Sequence, residues 1–268
     1  MATKTILLDV GGTFIKRPDG QMFPIDSNGS SQAVAQALVS AIGPMKGLTG
    51  VGVAIPGPFD FQQGIFLMKH KFASVYGMRF RELVGIPEDI RLVFHHDVNA
   101  VMRGAVKMLS LQRDNAVLVT MGTGLGFAYA LKGEVQYAPS GSPARNLWNL
   151  PMEEGGVLED YVSARGICSI YADKTGDATQ TAYSIAQKAY SGDPVARRVY
   201  EEVGAILGQS LEKAISDLHV TTVLIGGQIG QSFSLMRGPM QKQLEGVRLM
   251  SAPFGAVFEG LSTLLNNK

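Results

Sequence analysis

Two segments of the chain place a loop of glycine and threonine directly after an apolar run. Leu7–Lys16 reads LLDVGGTFIK, and Leu118–Gly126 reads LVTMGTGLG. Glycine lets the backbone approach an anion closely, and consecutive N–H groups in such a loop form an anion-binding concavity. The similarity of the two segments predicts two phosphate-binding loops, each following a strand. It also predicts a duplicated fold that closes around a nucleotide from both sides.

The first loop carries the more reactive side chains. Asp9 ends the predicted strand, where its carboxylate suits Mg²⁺ held through water, because Mg²⁺ keeps several waters beside nucleotide phosphates. The backbone of Gly11 and Gly12, the hydroxyl and N–H of Thr13 and the charge of Lys16 complete a site for a terminal phosphate. A Gly-Gly turn that Asp9 merely caps fits this segment equally well.

The second loop, Gly122, Thr123 and Gly124, is a weaker signal when taken alone. No clear helix follows it, so it matches neither the dinucleotide-binding fingerprint nor the Walker loop. Its weight comes from its similarity to the first loop. A further pair, Gly226 and Gly227, follows another apolar strand; it could let a base or ribose lie against the backbone, or simply turn the chain into a helix.

The segment HHDVNA contains the strongest candidate for a catalytic group. Asp97 falls where a predicted strand ends and a helix begins, at the edge of the sheet where α/β proteins bind ligands. A carboxylate there can accept a proton from a substrate hydroxyl and align that hydroxyl on a γ-phosphate. Taken by itself, the segment favours a helix cap assisted by Asn99. The adjacent His95 and His96 point to opposite faces of a strand, so we assign no metal to them.

Glu159 is a second carboxylate near the start of a predicted helix. It could stabilise that helix through the helix dipole, or accept hydrogen bonds from two hydroxyls of a sugar. Ser163 lies four residues further along, on the same helix face.

These groups need strands that end at one edge of a sheet and helices that start there. Continuous apolar runs predict strands, and apolar residues at helical spacing predict helices. The predicted strands are Thr5–Val10, Phe14–Lys16 with Gln21–Ile25, Gly50–Ile55, Arg91–His95, Ala116–Met121, Phe127–Leu131 with Glu134–Tyr137, and Thr222–Ile225. The predicted helices are one capped by Ser30, Val98–Leu109, Leu158–Tyr171, Thr179–Tyr190, a long one opening at Asp193-Pro194, and Gly255–Leu265. This order is an α/β pattern.

Composition narrows the class of protein. The 268 residues include 24 basic and 23 acidic ones, so nothing favours a nucleic acid or an anionic membrane as partner. No apolar run approaches the ~20 residues of a membrane helix, and because a strand is predicted at the start, no signal peptide is expected. Cys168 is the single cysteine, which excludes an intramolecular disulfide and a multi-cysteine zinc site. A cytoplasmic enzyme is expected.

In this order along the chain, the segments DVGGTFIK, GVAIPGPFD, HDVNA, MGTGLG, LEDYVSARG and LIGG resemble the ROK family (repressors, open reading frames, sugar kinases) of the actin–hexokinase ATPase superfamily. They extend from Asp9 to Gly227, and a matching closing helix follows. The resemblance implies an α/β, two-lobed actin/hexokinase-like (ribonuclease H-like) duplicated fold. Residues 1–113 would form the small lobe, completed by a helix at 255–268, and residues 114–254 the larger lobe.

The resemblance also implies Mg²⁺-dependent transfer of the γ-phosphate of ATP to a hydroxyl of glucose or a related hexose between the two lobes. Asp97 would be the general base. The two glycine loops would bind the phosphates, and the Gly226-Gly227 pair would lie near adenosine. The residues expected on the sugar side are Asn99, Glu159, Pro56, Gly57 and Trp148.

Two departures from the family pattern fall on the sugar side. ROK kinases usually carry a Glu-x-Gly-His segment and then a zinc loop with several cysteines, whereas this chain reads SGSPARNLWNLPMEEGG, so no structural zinc is expected. Many relatives carry an Asn-Leu-Pro-Gly-Trp sugar loop, whereas residues 70–77 read HKFASVYG. We expect phosphoryl transfer to be retained and sugar preference to be altered. Candidate replacements for the lost sugar contacts are Ser142, Arg145, Asn146, Trp148, Asn149 and Glu154.

Other functions fit the same resemblance. ROK repressors carry a DNA-binding helix-turn-helix before the first phosphate loop, whereas eight residues precede Asp9 here, so no nucleic-acid partner is expected. A non-catalytic sensor of a sugar or nucleotide is the stronger alternative, favoured by the altered sugar loops and opposed by the presence of Asp97. ROK kinases are often dimers, and a homodimer is compatible with the helical second lobe.

Overall fold

The computed structural model describes residues 4–266. The outermost residues of the predicted lobes, 1–3 and 267–268, lie outside this range. The chain divides into two compact units. The first contains the described residues up to Ser110, then Val135–Ala144 and the described residues from Phe254 onward, and the second contains Leu111–Glu134 and Arg145–Pro253.

Strands and helices alternate along most of the described chain. The strands are β1 Lys4–Val10, β2 Phe14–Lys16, β3 Met22–Pro24, β4 Leu48–Ile55, β5 Phe59–Asp60, β6 Ile65–Phe66, β7 Arg91–His96, β8 Ala116–Met121, β9 Leu125–Leu131, β10 Glu134–Gln136, β11 Thr222–Gly226 and β12 Arg248–Ser251. The helices are α1 Ser31–Ile42, α2 Phe80–Val84, α3 Asp97–Met108, α4 Leu158–Val162, α5 Ala164–Thr175, α6 Ala182–Tyr190, α7 Pro194–Leu218, α8 Gly227–Gly230, α9 Phe233–Gln243 and α10 Ala256–Asn266.

The sheet of the first unit has the strand order β3-β2-β1-β4-β7. β1, β4 and β7 run parallel, and β2 pairs antiparallel with β1. The central parallel strand β4 is buried along nearly its whole length, as expected for a strand in a sheet covered by helices. Their carboxyl ends meet at one edge, which brings together the first glycine loop after β1, Pro56 and Gly57 after β4, and Asp97 after β7.

The sheet of the second unit repeats this arrangement. Its strands β9-β8-β11-β12 follow the pattern of β2-β1-β4-β7: an antiparallel hairpin partner, then parallel neighbours. The second glycine loop therefore follows β8 as the first follows β1, and the Gly226-Gly227 pair ends β11. Both units are α/β, and the repeated strand order confirms the predicted duplicated fold.

Helix α3 is fixed by a close crossing with α10 in the first unit. A Cβ added to Gly104 would overlap the carbonyl of Ala256, and one added to Gly260 would overlap the carbonyl of Ala100. Only glycine permits such a close backbone approach. Because α3 begins at Asp97, this crossing holds the candidate base in place.

The helix predicted over Leu158–Tyr171 is wrong as a single element. Ser163 is extended, with φ −83° and ψ −179°, and it separates α4 from α5. The N–H of Ala164 donates to the carbonyl of Gly122 at 2.9 Å instead of continuing the α4 ladder. A contact with the second glycine loop therefore interrupts the helix.

Helix length and hydropathy decide whether a helix could cross a membrane. Within residues 4–266, no helix is both long and apolar enough to cross one.

Candidate functional site

The first glycine loop is held by its backbone carbonyls. The carbonyl of Gly12 accepts from the N–H of Ser27 at 3.1 Å, and that of Thr13 accepts from the N–H of Ile25 at 3.0 Å. Gly11 donates to the carbonyl of Phe14 across the turn. Among the described residues, the N–H groups of Gly12 and Thr13 have no acceptor, so the loop can offer both to an anion.

Asp9 lies at the base of this loop in an electrostatically unfavourable position. Its carboxylate Oδ2 is 3.8 Å from the ammonium of Lys16, which faces it across the hairpin. Burial raises the pKa of Asp9 to about 6; Lys16 opposes this rise, and the negative charge of Asp97 adds to it. Asp9 and Asp97 therefore lie within each other's electric field in the first unit.

Asp97 is the first residue of α3, and its side chain is 42% exposed. Its Oδ1 accepts from the backbone N–H of Val98 at 2.7 Å and lies 2.8 Å from Nδ1 of His96. Burial opposes ionisation, but His96, the Val98 N–H and the charge of Lys71 together hold the pKa of Asp97 below its usual value. The carboxylate is thus ionised at neutral pH and open to a substrate.

The neighbours of Asp97 differ in how accessible they are. Gly57 lies beside the ring of His96, because a Cβ at Gly57 would be 3.4 Å from that ring. Asn99 is fully buried, and its amide donates to the carbonyl of Gly141 at 3.3 Å. His95 is also buried, and its pKa is lowered to about 3 by burial first, then by Arg103 and His96. The structure therefore places Gly57 beside His96 and commits Asn99 to a protein contact.

In the second unit, Glu159 braces the second glycine loop. Its Oε2 accepts from the backbone N–H of Leu125 at 2.8 Å, and its Oε1 lies 3.2 Å from Arg165. A Cβ on Gly124 would come 2.9 Å from the same carboxylate oxygen, so a larger residue there would force the end of the Glu159 side chain to shift. The turn is closed by the Gly122 N–H donating to the carbonyl of Gly124 at 3.0 Å.

A cavity of about 620 Å³ lies beside this loop within the second unit. Gly122 and Thr123 line it together with neutral amides and phenols, and none of its lining residues is charged. Gly226 and Gly227 do not line it; Gly227, with φ +80°, turns the chain so that the residues after it do. The polar lining side chains that sequence reasoning missed include Gln187, Tyr190, Tyr200, Gln228 and Gln231.

Two residues proposed to replace the lost sugar contacts, Trp148 and Arg145, lie in the second unit, where each contacts another part of the protein. Trp148 is 45% exposed, and its carbonyl accepts from the N–H of Glu159 at 3.1 Å. Arg145 is paired with Asp217 at 2.8 Å. Within residues 4–266, no three histidine, cysteine or carboxylate side chains cluster as metal ligands.

Comparison with known proteins identifies the family of the chain. The profile of the ROK family matches residues 26–259. The chain belongs to the ROK family. A glucokinase of Halalkalibacterium halodurans is 22% identical over 245 residues, which cover 82% of this chain and 73% of that protein.

Solved structures of relatives share the fold. A ROK glucokinase of Streptomyces griseus, in complex with glucose and AMPPNP, has a TM-score of 0.78 at 20% identity and covers 97% of this chain and 98% of its own. A ROK family protein of Streptococcus pneumoniae TIGR4, in complex with sucrose, has a TM-score of 0.76 at 17% identity and covers 96% of both chains. These likenesses confirm the actin/hexokinase-like α/β fold.

Proposed function

We propose that this ROK protein is an ATP-dependent sugar kinase that phosphorylates a hydroxyl of a hexose, with Asp97 as the general base. The observation that carries the proposal is the state of Asp97: a carboxylate with a lowered pKa, 42% exposed, at the end of β7 and at the same sheet edge as the first glycine loop. Glucokinases among its relatives support a hexose as acceptor.

The reaction transfers one proton, forms one phosphorus–oxygen bond and breaks another. The acceptor hydroxyl gives its proton to Asp97 while its oxygen bonds to the γ-phosphorus. The bond from that phosphorus to the bridging oxygen breaks, and the electron pair leaves with ADP. A lowered pKa weakens Asp97 as a base but keeps it unprotonated and aligned at neutral pH, which suits late proton transfer.

The two units, each taken by itself, suit different parts of a nucleotide. The free N–H groups of Gly12 and Thr13 suit the terminal phosphate. The uncharged cavity beside Gly122 and Thr123 suits a nucleoside, because amides and phenols can read a base and ribose without a charge. This assignment follows from the chemistry of each unit taken by itself.

The carboxylate of Asp9 fits a hydrated Mg²⁺. Hard oxygen ligands suit this ion, and the mutual repulsion of Asp9 and Asp97 favours a cation near them. Bound there through water, Mg²⁺ would neutralise phosphate charge.

The test is release of ADP from ATP and Mg²⁺ across a panel of hexoses, amino sugars and glucosides, with Asp97→Asn measured beside the wild type. We expect at least one sugar to stimulate ADP release. The variant should lower kcat by about 10²- to 10⁴-fold, the usual contribution of a general base, while AMPPNP still binds. Equal turnover of the two proteins would remove Asp97 from the mechanism.

A sensor function is the second candidate. Two residues expected on the sugar side are engaged within the protein: the amide of Asn99 donates to the carbonyl of Gly141, and the carboxylate of Glu159 accepts from the N–H of Leu125. If AMPPNP and a sugar bind but no sugar stimulates ADP release, the protein is such a sensor rather than a kinase.

A further inference from the structure

Lys71 lies in the 70–77 segment, where the sequence departs from the ROK pattern, and the backbone ties it to the first glycine loop. The N–H of Phe72 donates to the carbonyl of Ser27 at 2.6 Å. The N–H of Ser27 in turn donates to the carbonyl of Gly12 at 3.1 Å. Two consecutive hydrogen bonds therefore fix the residue after Lys71 relative to the loop.

Packing holds Phe72 in an uncommon backbone conformation. Phe72 has φ +55°, a left-handed conformation that is uncommon outside glycine, and its side chain is fully buried. Its ring packs on that of Phe66 with the centroids 5.7 Å apart. Burial of this ring holds the backbone in place, so Lys71 is positioned by packing rather than by its own ammonium.

The aliphatic part of the Lys71 side chain lies beside Gly12 of the loop. Its Cδ and Cε lie 3.8 Å from the point where a Cβ of Gly12 would be. The hydroxyl of Ser27 lies 3.3 Å from the same point, so glycine at position 12 leaves room for both side chains beside the loop.

The charge of Lys71 is available, in contrast to that of Lys16. The ammonium of Lys16 has Asp9 at 3.8 Å, whereas Lys71 has no carboxylate at ion-pair distance among residues 4–266. Lys71 is half-buried, and its field reaches Asp97, where it contributes to the lowered pKa. A positioned cation without a fixed counter-ion thus lies beside both the phosphate loop and the base.

We propose that Lys71 binds the terminal phosphate of the nucleotide at the first glycine loop and stabilises its charge during transfer. The inference rests on the proposed kinase function. An ammonium acting on phosphate as a point charge is a common device in phosphoryl transfer. Its place next to Gly12 favours a phosphate over an anionic group of the acceptor as the ligand.

The test compares binding of AMPPNP and ADP, each with Mg²⁺, to the wild type and to Lys71→Met by calorimetry. Lys69→Met is the matched control, because Lys69 belongs to the same segment but lies over the ring of Tyr76, 5.3 Å from its centroid. We expect Lys71→Met to lose about tenfold or more in affinity for AMPPNP and nothing for ADP, since a charged hydrogen bond to the third phosphate is removed. Lys69→Met should bind both as the wild type does.

The outcomes separate this inference from the proposed function. If the wild type binds neither nucleotide, the kinase proposal fails and the role of Lys71 fails with it. If the wild type binds AMPPNP and Lys71→Met binds it equally well, or loses both nucleotides equally, the role of Lys71 alone is overturned. In the active enzyme, a raised KM for an acidic sugar with unchanged AMPPNP affinity would instead assign Lys71 to the acceptor.

Discussion

The two glycine loops follow strands of the same order and pairing, yet their electrostatic surroundings differ. Asp9 lies opposite Ala54 on β4 and opposite Lys16 on β2. The matching position on β8 is Thr120, opposite Gly226 and Gly126. The same strand arrangement therefore carries a charged residue, Asp9, near the end of β1 and an uncharged one, Thr120, at the matching position of β8.

The second unit supplies its carboxylate from outside the strand. Glu159 reaches the loop from α4 and is occupied by the Leu125 N–H, so it acts on the backbone. The neighbouring cavity has no charged lining residue. The repeated topology therefore fixes where each loop lies in its sheet. The side chains beside the loop decide whether its surroundings are charged, as in the first unit, or uncharged, as in the second.

The largest expected effect concerns the glycine that turns β11 into α8. Gly227 has φ +80°, and a Cβ there would overlap the backbone of Met121 on β8. We expect Gly227→Ala to lower the free energy of unfolding by at least about 3 kcal/mol, since backbone strain and overlap add.

The matched variant is Gly122→Ala in the second loop itself. No atom lies within 4 Å of its added Cβ, and its φ is not positive. Its unfolding free energy should change by less than about 1 kcal/mol. Urea unfolding of both variants measures the contrast, and equal losses would contradict the cost expected from the overlap of a Gly227 Cβ with the backbone of β8.

Sequence patterns predicted the elements whose signals are local. The apolar runs gave the strands beside both loops, and Asp193 before Pro194 marked the start of α7, where its carboxylate caps the helix. The break at Ser163 depends on the carbonyl of Gly122, forty-one residues away along the chain, so no local pattern contains it. Helix α9 was missed because Pro239 lies inside it.

The candidate site was predictable in part for the same reason. Strand-end positions placed Asp9 and Asp97 at one sheet edge before any contact was known. The uncharged cavity of the second unit was not predictable, because Gln187 and Tyr190 on α6 line the same cavity as Gln228 on α8 only through tertiary packing. The burial of Asn99 likewise depends on the carbonyl of Gly141.

The next prediction concerns how the free energy of unfolding depends on pH through the ionisation of Asp9 at the first loop. Because the pKa of Asp9 rises from 3.8 to about 6 on folding, the folded state favours the protonated acid. The ionised form therefore destabilises the fold, and stability is lost as the pH rises from about 4 to about 6. Asp9→Asn should raise the unfolding free energy at pH 8 by at most about 3 kcal/mol, since one pKa unit is about 1.4 kcal/mol.

At pH 4 the gain from Asp9→Asn should largely vanish. Asp19→Asn is the control, because Asp19 is exposed and pairs with Arg17 at 3.4 Å on the surface, where such pairs contribute little. Unfolding is followed in urea between pH 4 and pH 8. A gain from Asp9→Asn that did not depend on pH would show that the acid is not under electrostatic strain.

The smallest expected effect concerns Glu159, whose sugar contact remains a prediction. Because its carboxylate accepts from Leu125, Glu159→Ala should lower the unfolding free energy by about 1–2 kcal/mol and weaken AMPPNP binding a few-fold through the loosened loop. Glu159→Gln keeps an acceptor oxygen and should lose less, and Glu153→Ala, an exposed neighbour, should lose nothing. Titration with AMPPNP and with the active sugar decides the role. If only sugar affinity falls, Glu159 binds the acceptor and the second unit handles more than the nucleotide; if only AMPPNP affinity falls, the side chain serves the loop.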